Sequence, residues 1–214
     1  MQLFTNYVLD QMVFAIEPSK KHAKRLAEPE DYVLLVCKAE EAPVKNYPTN
    51  SSLETLKELE FLRDLRASYP NASELEEAYD DDMLWAFKKI IKAAGHKYDK
   101  DLFTRLMDEA GSIAIRLKYK YNRPRPFQVA ASRCFVLVED ESETAKTPSF
   151  PSGHAMQSTL AALTVGKLFP ELAESAMKIA DEVVLSRMVG GHHFPSDIKF
   201  GQEIGQWMFM HLST

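Results

Sequence analysis

The sequence predicts an all-α fold, a single-domain helical bundle. Three observations carry that expectation. Apolar residues recur at helical spacing, as in Leu53, Leu56, Leu59, Leu62 and Leu65, and again in Leu102, Phe103, Leu106, Met107, Ala110 and Ile113. Start and stop residues stand at the ends of those runs. Only residues 32–37 read as a short apolar, β-branched run, and no repeat or low-complexity segment occurs. At 214 residues, one domain can remove roughly 70% of its unfolded surface from water. The chain divides into an N-terminal extension packed on the core, residues 1–49, and the bundle proper, residues 50–214.

Taken in order, residues 1–16 are apolar and loosely helical. Pro18 and Pro29 bracket a basic run, Lys20, Lys21, His22, Lys24 and Arg25, which reads as a solvated helix face. Residues 32–37 are a strand or an extended piece lying on the core. Pro43 and Pro48 mark a loop. Ser51 and Glu54 fit a capping box, in which each side chain satisfies an orphan amide of the first turn. That helix must stop before Pro70. Ser73 with Glu76 repeats the capping pattern for a second helix. Three acids follow, Asp80, Asp81 and Asp82; consecutive carboxylates diverge, so a cap or solvated turn is expected rather than a metal cluster. Residues 83–94 form a helix capped by Gly95, and Asp99 starts the next, which runs to about Tyr121. A loop is expected over 127–150, including the acidic stretch 138–144 as an exposed loop or a rim over a site. Ser152 and Gly153 open a helix that Pro170 ends. Residues 171–188 form another, and Pro195 with Ser196 opens the last.

Composition limits the partners. The net charge of −5 gives no general basic field for nucleic acid or an anionic membrane, so cations must act locally on any anionic ligand. Cys37 and Cys134 are 97 positions apart and outside any metal-ligand spacing; two reduced, mostly buried thiols are expected. The first residues lack a basic, small-residue-terminated leader, and no window reaches the roughly 20 apolar residues of a membrane span. A soluble, cytoplasmic protein is the expectation. The sequence leaves a homo-oligomer open.

Three segments carry chemistry. Lys118 and Arg125 are seven positions apart at a helix end bent by Pro124. Pro151-Ser152-Gly153-His154 opens a helix. Ser186-Arg187 is followed by His193 and Asp197. Phosphate oxygens are gripped by guanidinium forks, an ammonium and amides at a helix start. Lys118, Arg125, Arg187, Ser152 and Gly153 supply each of these. Asp197, four positions after His193, can hold one imidazole nitrogen and leave the other as nucleophile. His154 can donate a proton to the leaving oxygen and later take one from water. The expected reaction is attack by His193 on phosphorus, a phosphohistidine, and hydrolysis, with no metal ion required.

These blocks, with 24 and 31 residues between them, resemble all three signature motifs of the type 2 phosphatidic acid phosphatase superfamily, which includes class A acid phosphatases, lipid phosphate phosphatases and vanadium-dependent haloperoxidases. The likeness covers residues 118–197, and the helix start after Pro48 is similar to soluble bacterial members. It implies a helical fold of the acid phosphatase and haloperoxidase type with the site at one end. It also implies His193 as nucleophile, His154 as acid and base, Asp197 as orienting group and Lys118, Arg125, Ser152, Gly153 and Arg187 as phosphate contacts. A metal-independent phosphomonoesterase acting on a small phosphate ester is expected, without a cofactor. The alternatives are a haloperoxidase with vanadate tied to His193, a soluble lipid or prenyl (pyro)phosphate phosphatase, and a catalytically silent bundle. His192 reads as a neighbour, Arg123 as an electrostatic aid to Arg125, Ser186 as an orienting hydroxyl, Trp85 and Trp207 as core, and His22, His96 and His211 as surface or core.

Overall fold

A computed structural model describes residues 2–80, 82–138 and 142–213. Ten α-helices occur among them: α1 Gln2–Asp10, α2 Lys20–Ala27, α3 Leu53–Ser68, α4 Ala72–Asp80, α5 Leu84–Ala93, α6 Lys100–Tyr121, α7 Pro126–Ser132, α8 Gly153–Leu168, α9 Ala173–Val189 and α10 Pro195–Met210. The fold is all-helical, and a lone bridge between Leu35 and Leu212 is the one β-type pairing among the described residues. No described helix is long and apolar enough to cross a membrane.

Helix α8 is the axle. It buries Ala155, Met156, Leu160, Ala161, Ala162 and Val165 around most of its circumference, as a helix enclosed by neighbours must. It packs against α9, α10 and α6. On one side lie Leu106, Ile113, Leu117, Phe150, Phe200, Ile204 and Met208. On the other lie Phe87, Ile91, Phe103, Ile179 and Val183. The approach of α10 to α8 is close enough to require glycine. A Cβ on Gly201 would stand 2.7 Å from the Ser152 carbonyl oxygen, and one on Gly205 would stand 2.6 Å from that of Met156.

Local signals account for most helix ends. Asp99 accepts from the Leu102 amide at 3.0 Å and starts α6. Asn122, at φ 51°, ends it, its N–H returning to the Lys118 carbonyl. Three ends differ from expectation. The cap of α3 is Ser52, whose Oγ accepts from Thr55 N at 3.1 Å, while Ser51 bonds Asp10. Helix α4 begins at Ala72, and Glu76 is buried instead of capping. Within the expected 127–150 loop, α7 forms, with Pro126 at its first turn, where a missing N–H costs nothing. Residues 139–141 of the acidic stretch, and Asp81, lie outside the described residues. Trp207 joins the core, but Trp85 is 41% exposed, its indole N–H donating to the Ala78 carbonyl. Both cysteines are free; Cys37 is buried and Cys134 exposed.

The N-terminal residues are tied to the bundle by polar anchors. Residues 32–37 run extended because the Glu109 carboxylate on α6 accepts the amides of Val33, Leu34 and Leu35 at 2.9–3.0 Å. Arg25 on α2 pairs with Asp108 on α6 at 3.0 Å. Its guanidinium lies where a Cβ on Gly111 would be, 2.9 Å away.

Candidate active site

The three signature segments converge. Lys118 sits on the last turn of α6, Arg125 just before α7, Ser152, Gly153 and His154 at the start of α8, Arg187 near the end of α9, and His193 and Asp197 around the start of α10. Lys118, Gly153, His154 and His193 line one cavity of about 590 Å³, which continues outward past α2 and the start of α5. Arg125 and Arg187 are fully buried immediately behind it.

His193 is held at both ring nitrogens. Nδ1 faces Asp197 Oδ2 at 3.4 Å, and Nε2 faces Arg125 Nη1 at 3.1 Å. A guanidinium has only hydrogens to give, so Nε2 accepts and the ring proton sits on Nδ1. Burial, then the cations Arg125, Lys118 and Arg187, hold this imidazole well below its ordinary range. The ring is neutral with its lone pair on Nε2.

Asp197 is fixed in turn. Oδ2 accepts the Phe194 amide at 2.9 Å, and Oδ1 pairs with Arg123 Nη1 at 2.6 Å. Arg123 is fully buried; it also donates to Ser196 Oγ at 2.7 Å and pairs with Glu58 at 3.3 Å. Its guanidinium plane lies 3.9 Å from the Phe194 ring centroid. Arg123 thus serves Asp197, not Arg125. Burial raises the Glu58 carboxyl, with Arg123 pulling the other way.

Arg187 is engaged by acids that sequence spacing did not reveal. Nη1 is 2.8 Å from Glu76 and 2.8 Å from Asp80, and Nη2 donates to Thr144 Oγ1 at 3.1 Å. Glu76 also meets His192 Nε2 at 3.1 Å. Burial alone would raise the Asp80 carboxyl; Thr144, Arg187 and Ser142 outweigh it and hold it low. Asp82, by contrast, stands one position ahead of the α5 cap residue Met83 and accepts from the Leu84 amide. The Ser186 hydroxyl bonds its own helix at Val183 O and orients no site residue.

At the start of α8 the amides differ. Ser152 N–H donates to the Asp197 carbonyl at 3.1 Å and is already used, so the first free donors are those of Gly153 and His154. Ser152 Oγ caps the helix. A Cβ on Gly153 would meet Lys118 Cε at an ordinary 3.6 Å, so protein packing does not demand glycine there; the space it leaves belongs to the cavity. Lys118 Nζ donates to the Pro148 carbonyl at 2.6 Å, and burial, then Arg125, lowers it well below an ordinary lysine. Among the described residues no group of three or more His, Cys, Asp or Glu is arranged to hold a metal ion.

His154 Nε2 lies 3.2 Å from the Asp80 carbonyl. Burial, then Arg187, pushes it down to about 3 from 6.5. A histidine lowered in the folded state takes up its proton on unfolding, so its contribution falls as pH drops below 6.5 and is lost towards about 3. The melting temperature should therefore fall across that window, and His154→Gln should flatten part of the slope. Identical slopes for the two proteins would sink this assignment.

The chain matches the family described as the PAP2 superfamily over residues 104–213, a span that contains all three segments. A non-specific acid phosphatase of Salmonella typhi is 37% identical over 103 residues, 48% of this chain and 40% of that protein. One of Providencia stuartii is 33% identical over 99 residues, 45% of this chain and 39% of that protein. The chain thus spans about two fifths of the length of these relatives. The crystal structure of a bacterial vanadium-dependent iodoperoxidase superposes with a TM-score of 0.59 at 19% identity, covering 80% of this chain and 51% of that one, a likeness of fold alone. With more than half of its residues inside the family match, motifs included, the chain belongs to the PAP2 superfamily.

Proposed function

We propose that the chain is a metal-independent phosphatase that hydrolyses phosphate monoesters through a phosphohistidine on His193. The observation that supports it most is the polarised imidazole: Nδ1 on Asp197, Nε2 unprotonated beside Arg125 and lining the cavity. The Nε2 lone pair forms a bond to phosphorus as the bond to the leaving oxygen breaks. His154 gives that oxygen its proton. Water, deprotonated by His154, then attacks phosphorus, the P–N bond breaks, and phosphate leaves. In this reading the incoming phosphate takes over the donors of Arg187 now engaged by Asp80 and Thr144, and those of Lys118 and Arg125. The Gly153 and His154 amides add backbone donors. His154 must carry a proton to act first as an acid. A dianion arriving beside it favours the imidazolium and offsets the burial that otherwise lowers it.

The test is hydrolysis of p-nitrophenyl phosphate with chelator present, alongside halide oxidation with added vanadate. Hydrolysis should survive the chelator and be inhibited by vanadate, which copies the five-coordinate transition state. Activity that needs a divalent metal, or halide oxidation without hydrolysis, overturns the proposal. For His154→Ala, loss should be severe with poor leaving groups, roughly 10²–10⁴-fold, and small with good ones. Equal losses on both would remove His154 from the acid role.

A further inference from the structure

The basic run of α2 is solvated as its composition suggests, with no buried residue, and it also borders the site. Lys21 and His22 each precede Arg25 by about one helical turn, at i,i+4 and i,i+3. All three line the cavity that holds Lys118, His154 and His193. At about 590 Å³ that cavity is far larger than a phosphate group needs and falls in the range of sites that enclose a whole small ligand. The space beyond His154 is large enough to take the rest of a small substrate.

The outer space holds acids as well as cations, and two of its three aspartates are in ion pairs. Asp80 is engaged by Arg187 at 2.8 Å, Asp108 by Arg25 at 3.0 Å, and Asp82 accepts the Leu84 amide at 2.9 Å. Lys21 makes no ion pair among the described residues, and Lys146 lines the facing side of the cavity. Met83, Leu84 and Ile115 supply an apolar stretch between the cradle and α2. Helix α2 lies outside the family match, which begins at residue 104.

We propose that α2 selects the substrate: Lys21, His22 and Arg25 receive a second phosphate group carried on the leaving part, with the apolar stretch covering the linker. This rests on the phosphatase reading and adds a substrate class to it, esters bearing two separated phosphates. Pairing a phosphate with a lysine and an arginine adds charge-assisted hydrogen bonds that a neutral leaving group cannot make.

The test compares a butanediol bisphosphate with butyl phosphate, which differ only in the second anion. The wild-type chain should prefer the bisphosphate by roughly tenfold or more in kcat/KM, equivalent to about 1.4 kcal/mol. Lys21→Gln, at an exposed position with no ion pair among the described residues, and Lys21→Gln with Arg25→Gln should progressively abolish that preference. Hydrolysis of butyl phosphate should stay within about twofold of wild type, a split that general damage to the fold would not produce. Equal wild-type rates on the two esters, or equal losses on both in the variants, would overturn the role of α2 and leave the phosphatase reading standing. Failure to hydrolyse either ester would overturn both.

Discussion

His193→Ala is expected to lower kcat/KM for p-nitrophenyl phosphate by at least about 10⁴-fold, the scale on which losing a nucleophile acts when no other group can replace it. No neighbour is suited to substitute. His192 turns its Nε2 to Glu76, and His154 stands at the far side of the cradle with its ring on the Asp80 carbonyl. The variant should still fold. The lost ring is neutral, and Asp197 keeps Arg123 and the Phe194 amide. Rapid-quench experiments on the wild type should trap an acid-labile phosphoprotein that His193→Ala does not form. A variant that retains a tenth of wild-type activity while folded would end the nucleophile assignment.

The second large effect concerns stability. Arg123→Ala leaves the carboxylates of Asp197 and Glu58 without the cation they share, in a site where Asp197 is fully buried. Breaking a buried pair by removing one partner costs about 3–5 kcal/mol. For a chain of this size that is a fall in melting temperature of roughly 6–20 °C. The ring contacts with Phe194 and Tyr47 are lost as well. The sign with pH is distinctive. Glu58 is already raised by burial, and without Arg123 it rises further, so the stability lost relative to wild type should shrink on acidification as that carboxyl takes up a proton. Arg123→Lys keeps the charge but not the fork, and should fall between. Urea melts at neutral and mildly acidic pH decide the matter; a cost under about 1 kcal/mol would mean the pair behaves like a surface one.

The parts of the fold that were legible in the sequence are those written in local chemistry. Asp99, Ser152 and Pro195 mark helix starts because capping and N1 preferences act within four residues. The long-range partners were not legible. Glu76 stands at a capping spacing after Ser73, yet its carboxylate is drawn 111 positions along the chain to Arg187. Nothing in the periodicity of α4 distinguishes that buried acid from an exposed one. Asp80 was expected in a solvated turn for the same reason. Arg123 was visible as a cation near the motif, but its partner Asp197 is 74 positions away. The α2 run faces water as a lysine-rich helix should, but only the tertiary structure brings Lys21, His22 and Arg25 to the cavity that Lys118 lines.

The closeness of α8 and α10 has a consequence for how this candidate site can change. Gly201 and Gly205 bring the two backbones so near that Ser152 N–H bonds the Asp197 carbonyl directly. His154, the proposed proton donor at the start of α8, and His193, the proposed nucleophile just before α10, are therefore placed by two helices clamped backbone to backbone, and their alignment depends on that clamp. A single methyl at Gly201 would wedge the helices apart, and a misplacement near 1 Å can cost 10²-fold in rate.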